Sequence, residues 1–200
     1  MPIGNDIIDL DEASKHRPQY YERLKRSGFA EDEWLLGDLP DGITALWLLW
    51  SLKEATYKSL VQGEWNGRRF YPNDYLVTSL KQNTNDFIAE IAFEDRIVRT
   101  TTSIQKKFLH TVTQPENDLK TRSAYFECPG EDYEHQSGEV RDQAIVALAH
   151  SLNLDTSLIS IKKNEDQVPQ FYVKEAYFSS VDLSLSHHGR YGAYAMVFSA

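Results

Sequence analysis

Cysteine is almost absent from this sequence, with Cys128 as the single thiol in 200 residues. One cysteine cannot form a disulfide within the chain, so the fold does not depend on a cross-link. No potential catalytic partner for Cys128 is evident from the sequence. We therefore expect it to be an ordinary packed or surface thiol and not a nucleophile.

Long apolar runs and a targeting segment are also missing. No stretch reaches the roughly 20 apolar residues that a membrane-spanning helix needs. Residues 1–6 lack the basic and apolar regions of a signal peptide. These features predict a cytoplasmic protein that is not associated with a membrane.

The sequence has no excess of positive charge. Its 21 Lys and Arg residues stand against 30 Asp and Glu residues, which gives a formal net charge of -9. An acidic protein is repelled by nucleic acids and by anionic membranes, so neither is expected as a partner. The hydrophobic content of 41% is sufficient for one sizeable core or two small lobes.

The order of predicted elements indicates an α+β protein with two similar lobes, although no residue-level repeat is detectable. In the first half, the patterns predict a strand in 3–10, helices up to about 36, a helix at 43–61, and strands at 75–78, 87–93 and 97–100. A polar region at 114–121 follows. In the second half, they predict a strand at 123–127, a helix at 140–149, and strands at 158–162, 170–173, 183–185 and 191–198.

We expect each lobe to be a small antiparallel sheet packed on a long helix. The first lobe would comprise residues 1–115 and the second residues 120–200, together forming one compact unit. The cleft between them is the expected ligand site.

The helix predicted at 43–61 carries charged residues among apolar ones. Its apolar residues cover most of the circumference, so it is expected to pack on several sides. Burying Glu54 without a partner would cost several kcal/mol, so either a cation or a metal should compensate its charge. Lys58 lies four residues further on the same face, and an intrahelical salt bridge is the simplest interpretation of the pair.

A magnesium site is the alternative interpretation of Glu54. Gly4 would let a ligand approach the backbone, and Asp6 supplies a hard oxygen ligand of the kind that Mg²⁺ prefers. Glu54 would be the second carboxylate, with water and phosphate oxygens filling the remaining positions. Lys58 would then neutralise phosphate charge. Taken alone, Asp6 is more simply interpreted as a turn residue.

The segment 184–189 adds a Ser-His pair. Ser186 and His187 are adjacent on a predicted strand, so their side chains point to opposite faces and a Ser-to-His relay is disfavoured. We expect this pair to bind a ligand, although His187 could be a structural histidine.

A basic segment interrupts the acidic sequence at residues 15–26. Five cations stand there against the single acid Glu22: Lys15, Arg17, Arg23, Lys25 and Arg26. Such a patch suits a compact acidic partner, and the alternative is a solvated helix face.

These motifs together resemble the 4'-phosphopantetheinyl transferase superfamily, while residues 62–165 carry no motif of that family. The matching elements are Gly4-Asn5-Asp6, Trp50-Ser51-Leu52-Lys53-Glu54-Ala55-Thr56-Tyr57-Lys58, the Pro-bearing segment Val168-Pro169-Gln170-Phe171-Tyr172-Val173, and Ser184-Leu185-Ser186-His187. The resemblance implies transfer of 4'-phosphopantetheine from coenzyme A to a serine of an apo acyl carrier protein or carrier domain, with release of adenosine 3',5'-bisphosphate. It also implies a two-lobed fold and dependence on Mg²⁺.

The resemblance further implies roles for individual residues. Asp6 and Glu54 would bind Mg²⁺ together with the pyrophosphate of coenzyme A, and Lys58 would contact a phosphate. Glu54 and Lys58 are thus the expected catalytic residues. The proton acceptor is either Glu54 or a water bound to the metal.

Other residues are implied to bind coenzyme A or the carrier. Ser186 and His187 would bind the phosphate-bearing end of coenzyme A, and Pro169 would lie near its adenine. Lys162 and Lys163 are candidates for the 3'-phosphate by charge alone. Arg17 and Arg23 would dock the acidic carrier protein, whether of fatty-acid, polyketide or peptide type.

The branch of the family is ambiguous from the sequence. The large single-chain branch has an acid two positions after the first Asp, where this chain has Ile8. Asp9 and the motif order instead resemble the small holo-acyl-carrier-protein synthase branch, whose protomers are trimers. The length suits a two-lobed monomer with swapped lobes and one site joining Asp6, Glu54 and His187, and a trimer is the alternative.

Two other functions compete with transfer. One is a coenzyme A or nucleotide-binding paralogue that has lost activity. The other is an interaction domain whose charged residues are only solvated.

Overall fold

The computed structural model describes residues 2–40, 42–62, 69–84, 86–115, 119–130 and 132–199. The first half contains β1 (Asn5–Asp9), α1 (Leu10–Ala13), α2 (Pro18–Gly28), a 3-10 turn (Glu31–Leu35), α3 (Gly42–Gln62), a second 3-10 turn (Pro72–Asp74), β2 (Leu76–Asn83), β3 (Asp86–Phe93), β4 (Arg96–Ile104) and β5 (Phe108–Thr113). The second half contains β6 (Thr121–Glu127), α4 (Tyr133–Leu152), a third 3-10 turn (Thr156–Leu158), β7 (Ile159–Lys163), β8 (Pro169–Val173), β9 (Ala176–His188) and β10 (Tyr191–Phe198).

The two halves have the same topology. Each has a five-stranded antiparallel sheet, in the orders β1-β5-β4-β3-β2 and β6-β10-β9-β8-β7. In both, the first strand pairs with the last, and the long helix connects the first strand to the meander. The α+β class with two similar lobes is thus confirmed.

Each lobe has its own hydrophobic core. The first combines α3 residues such as Leu48 and Leu52 with sheet residues such as Ile91 and Leu109. The second combines residues of α4 with residues of β7 to β10: Ala144, Leu148, Ile159, Phe171, Leu183 and Met196. Helix α3 has apolar side chains around most of its circumference because the first core and β1 cover several of its sides.

The lobes meet along β1, whose alternate residues serve different purposes. Ile3 and Ile7 pack on apolar residues of β10 in the second lobe, and Asn5 donates hydrogen bonds to hydroxyls of β9. The intervening residues Asp6 and Ile8 face the first lobe, where Ile8 is part of the core. The position two residues after Asp6 is therefore a core position and does not carry an acid.

Gly4 is explained by helix packing. A Cβ atom at this position would lie 1.9 Å from the carbonyl oxygen of Ala55 and 2.7 Å from the backbone nitrogen of Ser59. The missing side chain allows α3 to approach β1, so the prediction that Gly4 makes room for a ligand is wrong. The close contact nevertheless sets the distance between Asp6 on β1 and the charged residues of α3.

Strand β5 was not among the predicted elements. Three consecutive residues, Leu109, His110 and Thr111, are buried because α3 covers one face and the second lobe covers the other. Polar residues that are buried on both faces give neither alternation nor an apolar run, so the usual strand signal is lost.

Among the residues that the structure describes, no helix is long and apolar enough to cross a membrane.

Candidate active site

Two carboxylates from different elements converge on one lysine. The Lys58 Nζ atom lies 3.2 Å from Asp6 Oδ1 on β1 and 3.2 Å from Glu54 Oε1 one turn earlier on α3. The predicted intrahelical pair therefore exists, and Asp6 adds a second negative charge to it. Two carboxylates around a single ammonium leave an excess of one negative charge.

Asp6 is the more buried of the two acids. Only 6% of its side chain is exposed, and Oδ2 has no hydrogen-bond partner among the described residues. Burial, followed by repulsion from Glu54, raises the pKa of Asp6 to about 7, although Lys58 and the Ser51 hydroxyl oppose the shift. An unpaired buried carboxylate oxygen is costly and rare, and a cation is the type of ligand that would satisfy it.

Glu54 is more accessible than Asp6. Its Oε2 atom accepts a hydrogen bond of 2.8 Å from Trp50 Nε1, and 28% of the side chain remains exposed. Burial lowers the pKa of Lys58, but the attraction of Glu54 and Asp6 outweighs this effect, so the net shift is upward. Lys58 is thus a permanent cation beside the two acids.

Lys58 lines a cleft of about 270 Å³ between the lobes. Its described lining residues include Tyr57 and Lys58 at the end of α3 and Arg141 on α4. They also include Lys163 of β7, Pro169 of β8, and Ser184 and His187 of β9. The predicted Lys58, Pro169 and His187 therefore lie around one cavity.

His187 is held by α4. Its Nδ1 atom lies 3.0 Å from Gln136 Oε1, and the Tyr133 ring packs edge-on with a centroid distance of 4.7 Å. Burial lowers the pKa of His187, and the positive charges of Lys58 and Arg141 lower it further. The neutral imidazole is therefore favoured in the ligand-free protein.

Ser186 is not in this cleft. It is 5% exposed and its hydroxyl accepts a 3.0 Å hydrogen bond from Asn5 Nδ2, on the opposite face of β9 from His187. The expected opposite orientation of the two neighbours is observed, but it also separates them as ligands. Our assignment of Ser186 to coenzyme A is corrected: it holds β9 on β1, while Ser184 lines the cleft.

Lys53 has a structural environment although it is next to Glu54 in sequence. Its Nζ atom is 2.7 Å from Glu33 Oε2, and both side chains are almost completely buried. The carbonyl oxygens of Gly28 and Pro72 accept its other hydrogen bonds. Lys53 therefore anchors the loop segments of the first lobe to α3.

Asp9 is equally committed elsewhere. Its carboxylate caps α1 and accepts hydrogen bonds from the Arg190 side chain at 2.9 and 3.1 Å. Gly189 has φ +57 and a Cβ there would lie 2.5 Å from Asp9 Oδ2, so this turn needs glycine. Asp9 joins the two lobes and is not available as a third metal ligand.

Arg17 and Arg23 lie at the surface, as a docking role requires. Both are exposed on or beside α2, and neither forms an ion pair with a described residue. At the start of this segment, the His16 ring lies 6.1 Å from the Trp47 ring, which in turn lies 6.4 Å from that of Trp50. Because Trp50 contacts Glu54, the basic segment begins close to the carboxylates.

Arg141, Tyr133 and Gln136 were not predicted from the sequence. They are on the first turns of α4, where polar residues give no signal beyond that of an exposed helix face.

Lys163 lines the cleft, whereas the neighbouring Lys162 lies over the Tyr172 ring. Cys128 is buried, and burial together with Glu139 raises its pKa to about 11, which fits an unreactive thiol.

The family model of the 4'-phosphopantetheinyl transferase superfamily matches residues 2–115. The chain belongs to this superfamily. The match covers the first lobe and includes Asp6, Glu54 and Lys58, whereas the second lobe lies outside it. No curated protein matches the chain. The family match therefore includes the two carboxylates and Lys58. It does not include His187, whose place at the cleft is known only from the structure of the second lobe.

The residues present fit a magnesium ion. Asp6 offers an unpaired buried oxygen, and Glu54 is held next to it by the same lysine. In the described part of the chain, no group of three His, Cys, Asp or Glu side chains could hold a metal ion. Two carboxylates with water and phosphate oxygens suit Mg²⁺, which rarely uses a cage made only of protein ligands.

Proposed function

We propose that this protein transfers 4'-phosphopantetheine from coenzyme A to a serine of an apo carrier protein, a holo-acyl-carrier-protein synthase activity. The observation that carries the proposal is the convergence of Asp6 and Glu54 on Lys58 at the edge of the interlobe cleft. Membership of the transferase superfamily supports it independently.

Coenzyme A would bind along the cleft. Among the described residues that line the cavity, Lys58, Arg141 and Lys163 are three cations against the acid Asp166, which suits a ligand that carries several phosphates. Lys58 and His187 would contact the phosphates, Pro169 would lie beside the adenine, and Lys163 is the better placed candidate for the 3'-phosphate.

Asp6 and Glu54 would hold Mg²⁺ at the pyrophosphate of coenzyme A. When bound, the ion would neutralise charge on the phosphate that is attacked and on the leaving group. Lys58 would neutralise the same charge from the α3 side, since its ammonium remains protonated. The protein residues thus mainly position the substrates and stabilise charge.

Glu54 is the better candidate for accepting the serine proton. It is partly exposed next to Lys58, which lines the cleft, whereas Asp6 is buried and has a pKa of about 7. The carrier serine would attack the β-phosphate, and its proton would pass to a Glu54 oxygen. The bond between the β-phosphorus and the bridging oxygen would break, releasing adenosine 3',5'-bisphosphate.

The carrier protein would dock on the basic segment. Arg17 and Arg23 are exposed and unpaired among the described residues, and the segment starts near Trp47 and Trp50 beside Glu54. Carrier proteins of this family are acidic, so opposite charges would guide the serine towards the cleft. Since one chain supplies both walls of the cleft, we propose a monomer, with a trimer as the alternative.

Intact mass spectrometry tests the activity directly. Apo carrier proteins of fatty-acid, polyketide and peptide type are incubated with the protein, coenzyme A and Mg²⁺, and we expect one of them to gain a phosphopantetheine group. Asp6→Asn and Glu54→Gln should each lower kcat/KM by about 10²–10³-fold, since each removes a proposed metal ligand. Asp95→Asn, in the exposed β3–β4 turn, is the matched control and should be fully active.

Four results would contradict the proposal. No modified carrier with folded protein would exclude transfer, and coenzyme A binding without transfer would indicate an inactive paralogue. Full activity of either site variant would remove the metal assignment. Equal activity with and without a chelator would exclude the Mg²⁺ requirement.

A further inference from the structure

Gln136 stands at the start of α4 between the turn that precedes this helix and the tip of β9. Its Nε2 atom lies 2.7 Å from the carbonyl oxygen of Gly130 and 2.6 Å from that of Gly189. Its Oε1 atom lies 3.0 Å from His187 Nδ1. All three polar contacts of this side chain are therefore with groups fixed by the backbone or by β9.

These contacts determine which way the amide faces. An amide nitrogen can donate two hydrogen bonds, and here two carbonyl oxygens accept them. The reverse orientation would place Oε1 against both carbonyl oxygens and lose both bonds. The atom that faces His187 is therefore an acceptor, and His187 Nδ1 must be the donor.

A neutral imidazole has one N–H group, so a protonated Nδ1 leaves Nε2 with a lone pair. The neutral form is favoured because burial, together with Lys58, Arg141 and His188, lowers the pKa of His187. Nε2 has no hydrogen bond to a described residue, while His187 lines the cleft. It is the polar atom of the ring that remains for a ligand.

We propose that Gln136 is a positioning residue that fixes His187 as the Nδ1–H tautomer, so that Nε2 is the atom offered to coenzyme A. The second half of this statement rests on the proposed function. Because Nε2 is an acceptor in this tautomer, the phosphate group that it contacts would have to present an O–H to it. Tyr133 would support the same ring orientation from its edge-on contact.

Nitrogen-15 NMR of the full-length protein, labelled at histidine, tests the tautomer without any turnover. Long-range ¹H–¹⁵N correlations should identify His187 as Nδ1–H in the ligand-free wild type. Gln136→Met has a similar shape but no acceptor, so it should populate the Nε2–H form. Glu134→Gln, exposed on the same turn, is the control and should match the wild type.

Calorimetric titration with coenzyme A tests the positioning role. Loss of one oriented hydrogen bond predicts at least about threefold weaker binding by Gln136→Met, with no change for Glu134→Gln. A wild-type Nε2–H tautomer or an unchanged tautomer in folded Gln136→Met would overturn the proposal. So would any smaller loss of affinity.

The two proposals fail in different ways. If the wild type binds no coenzyme A, the proposed function fails, while the ligand-free spectra still decide the tautomer. If transfer occurs but the tautomer is Nε2–H, the role of Gln136 fails alone.

Discussion

The two lobes share one topology but differ in what they bury. Nearly all described polar side chains that are buried belong to the first lobe, including Asp6, Asp9, Glu33 and Lys53. The second lobe contributes only Ser184 and Ser186, and the hydroxyls of both accept hydrogen bonds from Asn5 of the first lobe. The interior of the second lobe is therefore apolar, whereas the buried charged groups lie in the first lobe.

Strand register shows how the difference arises. Asp6 pairs with Thr111 of β5, and the equivalent pair in the second lobe, counted from the first residues of β5 and β10, is Ala124 with Tyr194. Conversely, His187 pairs with Gly192, and the equivalent position in the first lobe is Ile104. A fold with two equivalent halves thus has the residues for one site, because each half has only its own part of the chemistry.

The largest effect on stability should come from the buried ion pair of the first lobe. Lys53→Met leaves Glu33 charged without its partner, and we expect a loss of about 3–5 kcal/mol in the free energy of unfolding. Urea denaturation measures it. Lys53→Met combined with Glu33→Gln should lose less than the sum of the single variants.

Leu148→Met in the second-lobe core is the comparison variant and should lose under about 1.5 kcal/mol. Equal losses for Lys53→Met and Leu148→Met would mean that buried charge does not distinguish the lobes.

Asp6 should make the first lobe sensitive to pH. Its folded pKa of about 7 lies above the usual value of 3.8, so the folded state is favoured by protonation. Its contribution to stability is therefore present below about pH 4 and is lost as the pH rises to about 7. Asp6→Asn removes this loss and should be more stable than the wild type at pH 8 by about 2–4 kcal/mol, with little difference at pH 4.

Added Mg²⁺ offers the control for Asp6. It should stabilise the wild type at pH 8 and leave Asp6→Asn unchanged, because a ligand stabilises only the state that binds it. Thermal denaturation with and without Mg²⁺ measures both effects. A wild type that is more stable than Asp6→Asn at pH 8 without Mg²⁺ would show that the buried Asp6 carboxylate does not destabilise the folded state.

The junction between the lobes should show a smaller effect of opposite sign. Burial tends to raise the pKa of Asp9, but hydrogen bonds from Arg190 and the helix N-terminus lower it overall. Its stabilisation is therefore present above pH 3.8 and is lost as the pH falls through the lower folded pKa. Asp9→Asn should lose about 1–3 kcal/mol at pH 7 in a thermal melt.

Asp11→Asn is the matched control for Asp9, since Asp11 contacts the same arginine but is 56% exposed. It should lose under about 1 kcal/mol. If Asp9→Asn and Asp11→Asn lose equal stability, the contact between Asp9 and Arg190 that joins the lobes does not depend on the burial of the Asp9 charge.

The sequence predicts the carboxylate side of the site better than the histidine side. Asp6, Glu54 and Lys58 stand on two elements with strong patterns, and a hydrophilic residue in an apolar segment is visible without a structure. Gln136 and Arg141 lie on a helix face that reads as solvated, so only the packing of α4 against β9 reveals them. Ser186 was misassigned because period-two geometry separates strand neighbours, and sequence proximity to His187 suggested a shared ligand.

The fold class is predicted correctly, and the details that differ from the prediction have related causes. The two long helices and most strands have regular patterns, and α3 at Gly42–Gln62 lies close to the predicted 43–61. Strand β5 is sandwiched between α3 and the second lobe, so its polar residues are buried on both faces. Gly4 looked functional because glycine is common in sites, yet it serves helix packing here.

The smallest predicted effect concerns the surface of the first lobe. Reversing Arg17 and Arg23 together to Glu should raise the KM for the carrier protein about tenfold, roughly 1.4 kcal/mol, and leave the KM for coenzyme A unchanged. The increase should shrink at high salt because exposed charges are screened. The same reversal at Lys81 and Arg96, exposed on β2 and β4 of the same lobe, controls for net charge. Equal carrier KM values for the two double variants would mean that only overall charge matters, and the basic segment would then be a solvated helix face.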